Sequence, residues 1–376
     1  METKFSTASL AIVAPKLAQR IESGRDQASS LLRALEQDEI TDEIGFFGPK
    51  RANDALPLEI GYDADSNEVA ARVGEGSWRG FHSHAVRQLG ERLKLPGGWI
   101  HEQMKATGWQ RASVADLMST HLANTTEKDR FLVRSVGGQV RGILSDAYRR
   151  LSSPMIAEAF RSTIERAGVI PFEATRTDLK WHVRGILPQP IEITSPQHGT
   201  EYVGVGLRIS NSDFGAGALD LQAEVLRLRC INGMTGESIL NVIHIGGRLP
   251  ADIRFSEETY RKDTEVQCAA LREALPQLIT PDYIQKTLAP VQEAMSTEID
   301  GAETIKGLVR AQRITKGQAE EVERLVMNRD GTIVPQGPVT RWTISQAIAG
   351  LANNDGLDLD DSTELRRTAQ RVAISK

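Results

Sequence analysis

The sequence predicts an α+β protein: a helical N-terminal part, a central antiparallel β-rich core with one packed helix, and a helical C-terminal part. Apolar residues recur at helical spacing toward both ends, and short alternating runs bounded by Gly, Pro, Asn or Asp fill the middle. Two glycine-bearing turns, Gly137-Gly138 and Ser210–Gly217, are placed to join strands as hairpins.

In chain order, residues 15–44 read as a helix, with Leu17, Ile21, Leu31, Leu32 and Leu35 at near-helical spacing around an interruption at Ser23-Gly24. Residues 45–80, rich in Gly, Pro, Asn and Asp, predict a loop. Three helices are expected over His82–Leu93, Trp99–Thr107 and Ser113–Leu122, the last with Ser113 and Asp116 as a capping box. Phe131–Ser135 and Gln139–Leu144 read as a hairpin, because Gly-Gly supplies the positive φ values of a two-residue turn. Ser153 as N-cap, Pro154 at the first helical position and Gly168 past the end delimit the packed helix. Strands are expected at 170–176, 179–187, 201–209, 218–229 and 238–245. From Ser256 the pattern is helical, in pieces broken by Pro276, Pro281, Pro290, Gly331 and Pro335, the last at 341–352 and 361–374. The expected division is an acidic helical arm and loop at 1–75, a helix-plus-antiparallel-sheet core at 76–255, and a helical region at 256–376.

With 376 residues, 40% apolar and 25% charged, the chain can bury a sizeable core without disulfides or metals. Only Cys230 and Cys268 occur, neither in a C-x-x-C pair, and both are expected to be buried thiols in a reducing compartment. No apolar run approaches the roughly 18 residues of a membrane span, and residues 1–20 lack the basic region of a secretory leader, so a cytoplasmic location is expected. The net charge of −5 is mild but uneven: residues 1–71 carry −6 and residues 128–184 carry +5. Such asymmetry can mark nucleic-acid contact in the basic part.

Familiar enzyme motifs are absent. There is no phosphate-binding G-x-x-x-x-G-K-[ST] and no G-x-S-x-G, and Gly204-Val205-Gly206 lacks the third glycine of a dinucleotide fingerprint. His101-Glu102 lacks a second histidine, and in the calcium-loop-like Asp63–Asn67 run Glu68 stands where glycine is needed. His82 and His84 are two apart, on different faces of a helix. No metal, no cofactor and no catalytic residue is therefore expected; were there an unfamiliar site, Asp146, Asp213 and His244 are its polar candidates.

Two stretches stand out: Leu144-Ser145-Asp146-Ala147-Tyr148-Arg149-Arg150, and the run from Ser210-Asn211-Ser212 through Gly215 and Gly217 to Arg227-Leu228-Arg229-Cys230-Ile231-Asn232-Gly233-Met234. Together they resemble the phage/plasmid-like protein family catalogued as domain of unknown function 932. That family carries a Leu-Ser-Asp-x-Tyr-Arg segment, a Ser-Asn-Ser-x-x-Gly-x-Gly hairpin and an Arg-Leu-x-Cys-x-Asn-Gly-Met strand end in this order. Trp342–Ala347 and the helix through Leu365–Val372 are similar to the family's C-terminal end, so the resemblance spans roughly 80–370. It implies a phage or plasmid context and no assigned activity.

Arginine on a sheet face offers a planar fork for phosphate, and aromatic rings offer stacking platforms for single-stranded bases. The expectation is a non-enzymatic protein that binds or anneals single-stranded DNA in recombination or replication. Arg141, Arg149, Arg150, Arg208, Arg227 and Arg229 would face phosphates in one cationic trough, with Asn211 beside them and Tyr148 and Trp181 stacking on bases; Tyr202 and Phe214 lie nearby in sequence. The alternative is a homo-oligomeric interaction or assembly module without nucleic acid, and on a structural reading Arg227 and Arg229 pair with Asp220 and Glu224.

Overall fold

A computed structural model describes residues 15–46, 57–125, 130–230, 232–244, 255–328, 333–354 and 356–375. The N-terminal stretch, part of the expected 45–80 loop and Gly331 lie outside them. The chain is α+β, with two six-stranded sheets between helical ends.

The first helix, α1 (Pro15–Glu36), runs unbroken through Ser23-Gly24 but stops short of the expected residue 44, because from Thr41 the chain is extended and pairs as a strand with residues 130–135. Gly24 does not interrupt it; the glycine lets the helix axis press onto strand β7 (Ile170–Arg176), where a methyl group would overlap the Phe172 backbone and sit 2.8 Å from the Pro171 carbonyl oxygen.

The first sheet has the order β1 (Thr41–Phe46), β5 (Arg130–Val136), β6 (Gln139–Ser145), β4 (Arg79–Phe81), β3 (Glu68–Val73), β2 (Leu58–Asp63), antiparallel except for β4 against β6. Strands β2 to β4 correct the expected loop. Leu58, Ile60, Val69, Ala71 and Val73 alternate inward, while Asp65, Ser66 and Asn67 fall in the turn at 64–67. There Asn67 takes a positive φ of 55° and the Asp63 carboxylate accepts from the Asp65 amide at 3.0 Å. The inward face packs on α2 (Ser83–Arg92), α3 (Gly97–Lys105) and α4 (Trp109–Asn124) through Val86, Leu89, Ile100, Val114, Met118 and Leu122. Helix α4 begins at Gly108 (φ 64°), not at Ser113, whose hydroxyl instead donates to the Trp109 carbonyl at 2.8 Å. Gly137 and Gly138, with φ 57° and 76°, turn β5 into β6 as their sequence requires.

After the packed helix α5 (Ser153–Arg166), the second sheet follows in the order β12 (Asn232–Val242), β11 (Leu219–Arg227), β10 (Gly199–Asn211), β8 (Trp181–Ile186), β7, with β9 (Ile191–Ser195) also on β10; every pairing is antiparallel. Strand β9 had no counterpart among the expected strands. Helix α5 is capped one residue earlier than expected, at Ser152, and closes at Gly168 (φ 73°) with the Val169 amide on the Ile164 carbonyl at 2.9 Å. Ser153 serves the interior: its hydroxyl accepts from Trp181 Nε1 at 2.8 Å and from Asn211 Nδ2 at 2.9 Å.

The C-terminal helices are α6 (Glu257–Leu278), α7 (Pro281–Ser296), α8 (Gly301–Arg310), α9 (Lys316–Asn328), α10 (Arg341–Leu351) and α11 (Leu359–Ile374). Pro276 and Pro290 lie inside α6 and α7 and do not break them. One core joins α5 and α6 to Val183, Leu207, Ile209 and Leu221 of the second sheet. Another joins α7–α11 to Val203, Val205, Val225 and Met234.

Gly24→Ala is expected to destabilise the protein by about 1–3 kcal/mol, the usual range for forcing a methyl into a filled contact, read as a lower urea midpoint with an unchanged m-value.

Candidate functional site

The two stretches singled out in the sequence meet where the sheets adjoin. Tyr148 leaves β6 on a turn in which its amide donates to the Ser145 carbonyl at 2.9 Å, and its hydroxyl donates to the Ser212 carbonyl at 2.9 Å. The Ser212 hydroxyl donates to Leu179 O at 2.7 Å and accepts from the Phe214 and Ala216 amides at 3.2 and 3.0 Å. The first sheet and its helices grip this turn. Gln88 Nε2 donates to the Phe214 carbonyl at 3.0 Å, His84 Nε2 lies 3.1 Å from the same oxygen, and Arg134 Nη1 donates to the Asp213 carbonyl at 2.8 Å. Gly215 is required on two counts: its φ is 77°, and a methyl there would meet Gln88 Nε2 at 2.9 Å. Gly217 carries no such constraint, with no atom of the described residues within 4 Å of an added methyl.

The expected cationic trough is not what these arginines form. Arg227 is fully buried and clamps Glu201 with both ends of its fork, at 2.7 and 2.9 Å. Its carboxylate is thus Glu201 rather than Asp220 or Glu224. Arg208 is buried against Gln222 (3.3 Å) and Thr363 (2.9 Å). Arg149 holds Asp263 with two hydrogen bonds, Arg150 reaches Asp42 at 3.3 Å and stacks over Tyr260 at 4.5 Å, and Arg141 donates to the Asp178 carbonyl at 3.1 Å beneath the Phe214 ring. Arg229 is exposed in the turn that follows β11. Trp181 and Asn211 are 1% exposed and Tyr148 7%, so none presents a stacking face. Asn232-Gly233 opens β12 after a turn at 228–230; the Asn232 side chain ties Ile333 O (3.1 Å) and Gln346 O (3.0 Å) to the sheet.

The segment charges explain themselves in these contacts. Asp42 of the acidic arm is the counterion of Arg134 (2.8 Å) and of Arg150, and Asp38 pairs with Arg176; Arg20 of the same arm pairs in the opposite sense, with Glu173 at 3.1 Å. Among the polar candidates, Asp146 is held by Arg130 at 2.9 Å. Burial pushes the Asp213 carboxyl above the ordinary carboxylate range, against the pull of Arg134 and Ser153, and its Oδ1 has no partner among the described residues. His244 stacks on Tyr148 with ring centroids 5.0 Å apart and lies 2.9 Å from Arg149 O and 2.8 Å from Asn211 Oδ1. Burial pushes its pKa down to about 4, and that of His182 likewise to about 4. Cys230 and Cys268 are buried and free. Among the described residues no three His, Cys, Asp or Glu side chains gather as metal ligands do.

What the junction leaves open is a cleft of about 550 Å³ between α2 and the hairpin turn. Its walls are Ile143, Leu144, Ile243, Ala218 and the two turn glycines; Ser145, Tyr148 and His244 line it, and Gln88, Glu91 and Arg92 edge it. Arg92 also lines a second recess of about 230 Å³ with Lys94, Thr120, His121, Asn124 and Thr125, at the C-terminal ends of α2 and α4. The sequence reading missed Arg92, Lys94 and His121. Cations in a last helical turn are common for dipole reasons alone, so the only signal was two bases of Glu91-Arg92-Leu93-Lys94 beyond what one cap needs.

Comparison with known protein families, curated proteins and solved structures finds no match to this chain.

Two predictions follow from the burial of these groups. Asp42→Asn leaves Arg134 buried without its carboxylate and should cost about 3–5 kcal/mol, the range for breaking a buried pair, measured by urea denaturation. His182 and His244 are neutral when folded and protonate near pH 6.5 when unfolded, so the unfolded state binds more protons as pH falls. The stability these two histidines contribute is full above about pH 6.5 and falls between there and about pH 4, by about 1.4 kcal/mol per pH unit for each; His244→Gln should remove about that one histidine's share from the slope in denaturation curves taken at pH 7, 6 and 5.

Proposed function

We propose that this protein binds single-stranded nucleic acid without chemistry of its own, and that the binding surface is the pair of adjoining recesses that share Arg92. The carrying observation is their complementarity to one nucleotide unit: an apolar, glycine-floored cleft beside a recess lined by Arg92, Lys94, His121 and the polar side chains of Thr120, Asn124 and Thr125. A base enters the apolar cleft against Ile143, Leu144 and Ile243, and its phosphate meets the cationic recess. Glu91 on the rim pairs with Arg87 at 3.8 Å. The polar groups lining the cleft already serve the fold: the Tyr148 hydroxyl donates to Ser212 O, both His244 nitrogens have partners, and Ser145 Oγ accepts from the Ala147 amide at 3.2 Å. This favours holding a strand over reacting with it. A role in phage or plasmid recombination or replication fits the three motifs that resemble the phage/plasmid-like family, two of which bound this cleft.

A second reading, a homo-oligomeric assembly module, has its own support. Trp78, Trp99 and Trp109 are 46%, 39% and 72% exposed on the first sheet and its helices, and exposed tryptophans are characteristic of interface hot spots.

The test is fluorescence anisotropy of a labelled oligonucleotide in a salt titration, with single and double strands. Log affinity should fall with log salt by about 0.7 for each phosphate neutralised. Arg92→Ala and Lys94→Ala should each lower that slope by about one contact's worth and weaken binding about 3–10-fold, while Arg229→Ala leaves it unchanged. No binding at low salt, together with a defined oligomer by light scattering, would replace this reading with the assembly module.

A further inference from the structure

A recess of about 380 Å³ opens along the seam between two cores of the second sheet. Val225, Met234, Val291 and Ala373 belong to the core that joins α7–α11 to the sheet, whereas Ile239 and Tyr283 pack against the core of α5 and α6. The floor is Ala223 and Val225 of β11 with Met234 and Ile239 of β12, and none of the lining residues is shared with the cleft or the cationic recess described above. The strand register at the floor is irregular. Leu221 opposes Leu240 but Gln222 opposes Ser238, which leaves Ile239 as an extra residue, and the register shifts again between Gln222 and Glu224. Such bulges bend a strand and re-aim its side chains, so helices laid across it do not seal against it everywhere.

Two helices wall the recess. Helix α7 contributes Tyr283, Lys286, Thr287, Pro290 and Val291, one face along about 12 Å of helix, and α11 contributes Gln370, Ala373 and Ile374. Most of this lining is apolar. Ile374, 39% exposed, and the exposed Lys286 stand at the open side. The Thr287 hydroxyl is spent on the Tyr283 carbonyl at 2.9 Å. Lys286 is the only charged side chain of the lining, and among the described residues neither its ammonium group nor the Gln370 amide has a hydrogen bond or ion pair.

We propose that this recess binds a fatty carboxylate of medium chain length. The alkyl chain lies on the β11–β12 floor between α7 and α11, and the carboxylate at the open side accepts from Lys286 Nζ and Gln370 Nε2. An apolar space beside a close-packed interior forgoes dispersion contacts and leaves apolar surface to water, and an alkyl chain restores both. A volume near the lower end of small-molecule sites, apolar walls and a few polar groups at one side are the features of such a site. The unpaired charge at its edge is positive, which complements an anionic head and repels a cationic one. A peptide segment would bring backbone N–H and C=O groups that each need a partner, and this lining offers too few.

The experiment is equilibrium dialysis of the full chain against butyrate, hexanoate, octanoate, decanoate and dodecanoate, each below its micelle concentration, with decyltrimethylammonium as the cationic control. Each added methylene should tighten binding about fourfold until the recess is full, and the gain should then stop. Decyltrimethylammonium should bind about tenfold more weakly than decanoate, or less tightly still. Lys286→Met, on the open side, should weaken decanoate about 3–10-fold and keep the chain-length dependence. Thr287→Leu, which adds apolar bulk inside the recess, should move the plateau to a shorter chain. Crystals soaked in a terminally brominated fatty acid should show the anomalous bromine peak between α7 and α11. Retention of none of the acids overturns the proposal. So does an affinity that climbs without a plateau and ignores both variants, a preference for the cationic amphiphile, or a bromine peak elsewhere.

Discussion

The interaction on which the junction of the two sheets depends is the pairing of Asp42 with Arg134 and Arg150. Arg134 is 5% exposed, and a guanidinium taken that far out of water must find a carboxylate. Asp42 of β1 supplies it, and the Asp213 carbonyl takes the remaining end of the fork. This arrangement fixes three separate parts of the chain at once: the acidic first strand, the basic hairpin β5–β6, and the Ser210–Gly217 turn of the other sheet. With Asp38–Arg176, it makes carboxylates of the negative N-terminal segment internal counterions for arginines of the positive middle of the chain. Those contacts tie the charge asymmetry to folding.

Much of the architecture was legible because it rests on local rules. Gly137-Gly138 needed its positive φ, Pro154 and Gly168 bounded a helix, and alternating runs from 170 to 229 were strands on inspection. Strands β2 to β4 were hidden because Gly61 and Gly80 are there for close contacts with Trp78 and Glu68 side chains, which a composition count reads as loop. Pro276 and Pro290 misled in the opposite sense, since tertiary packing of α6 and α7 overrode their cost.

For the candidate cleft, the two stretches singled out in the sequence come together, while the arginines named with them are engaged elsewhere. Leu144–Tyr148 and Ser210–Gly217 do bound one cleft. The arginines were read as solvent-facing because spacing reveals which face a residue shares but not whether that face is covered. The second sheet is covered on both sides, so Arg208 and Arg227 alternate correctly and are still interior. The partner of Arg227, Glu201, is reached only through the β10–β11 register, where Val203 opposes Arg227. Arg92, Lys94 and His121 come from two helix ends that only the packing of α2 and α4 brings together.

The two-recess surface and the locked arginines make one claim about where a strand would lie. Hydrogen–deuterium exchange of the protein with and without a saturating single-stranded oligonucleotide, at low salt, tests it most directly. Protection confined to the C-terminal turns of α2 and α4 and to residues 213–218 is the predicted result. Protection on β8, β10 and β11 with those segments unchanged, or no protection anywhere, would contradict it.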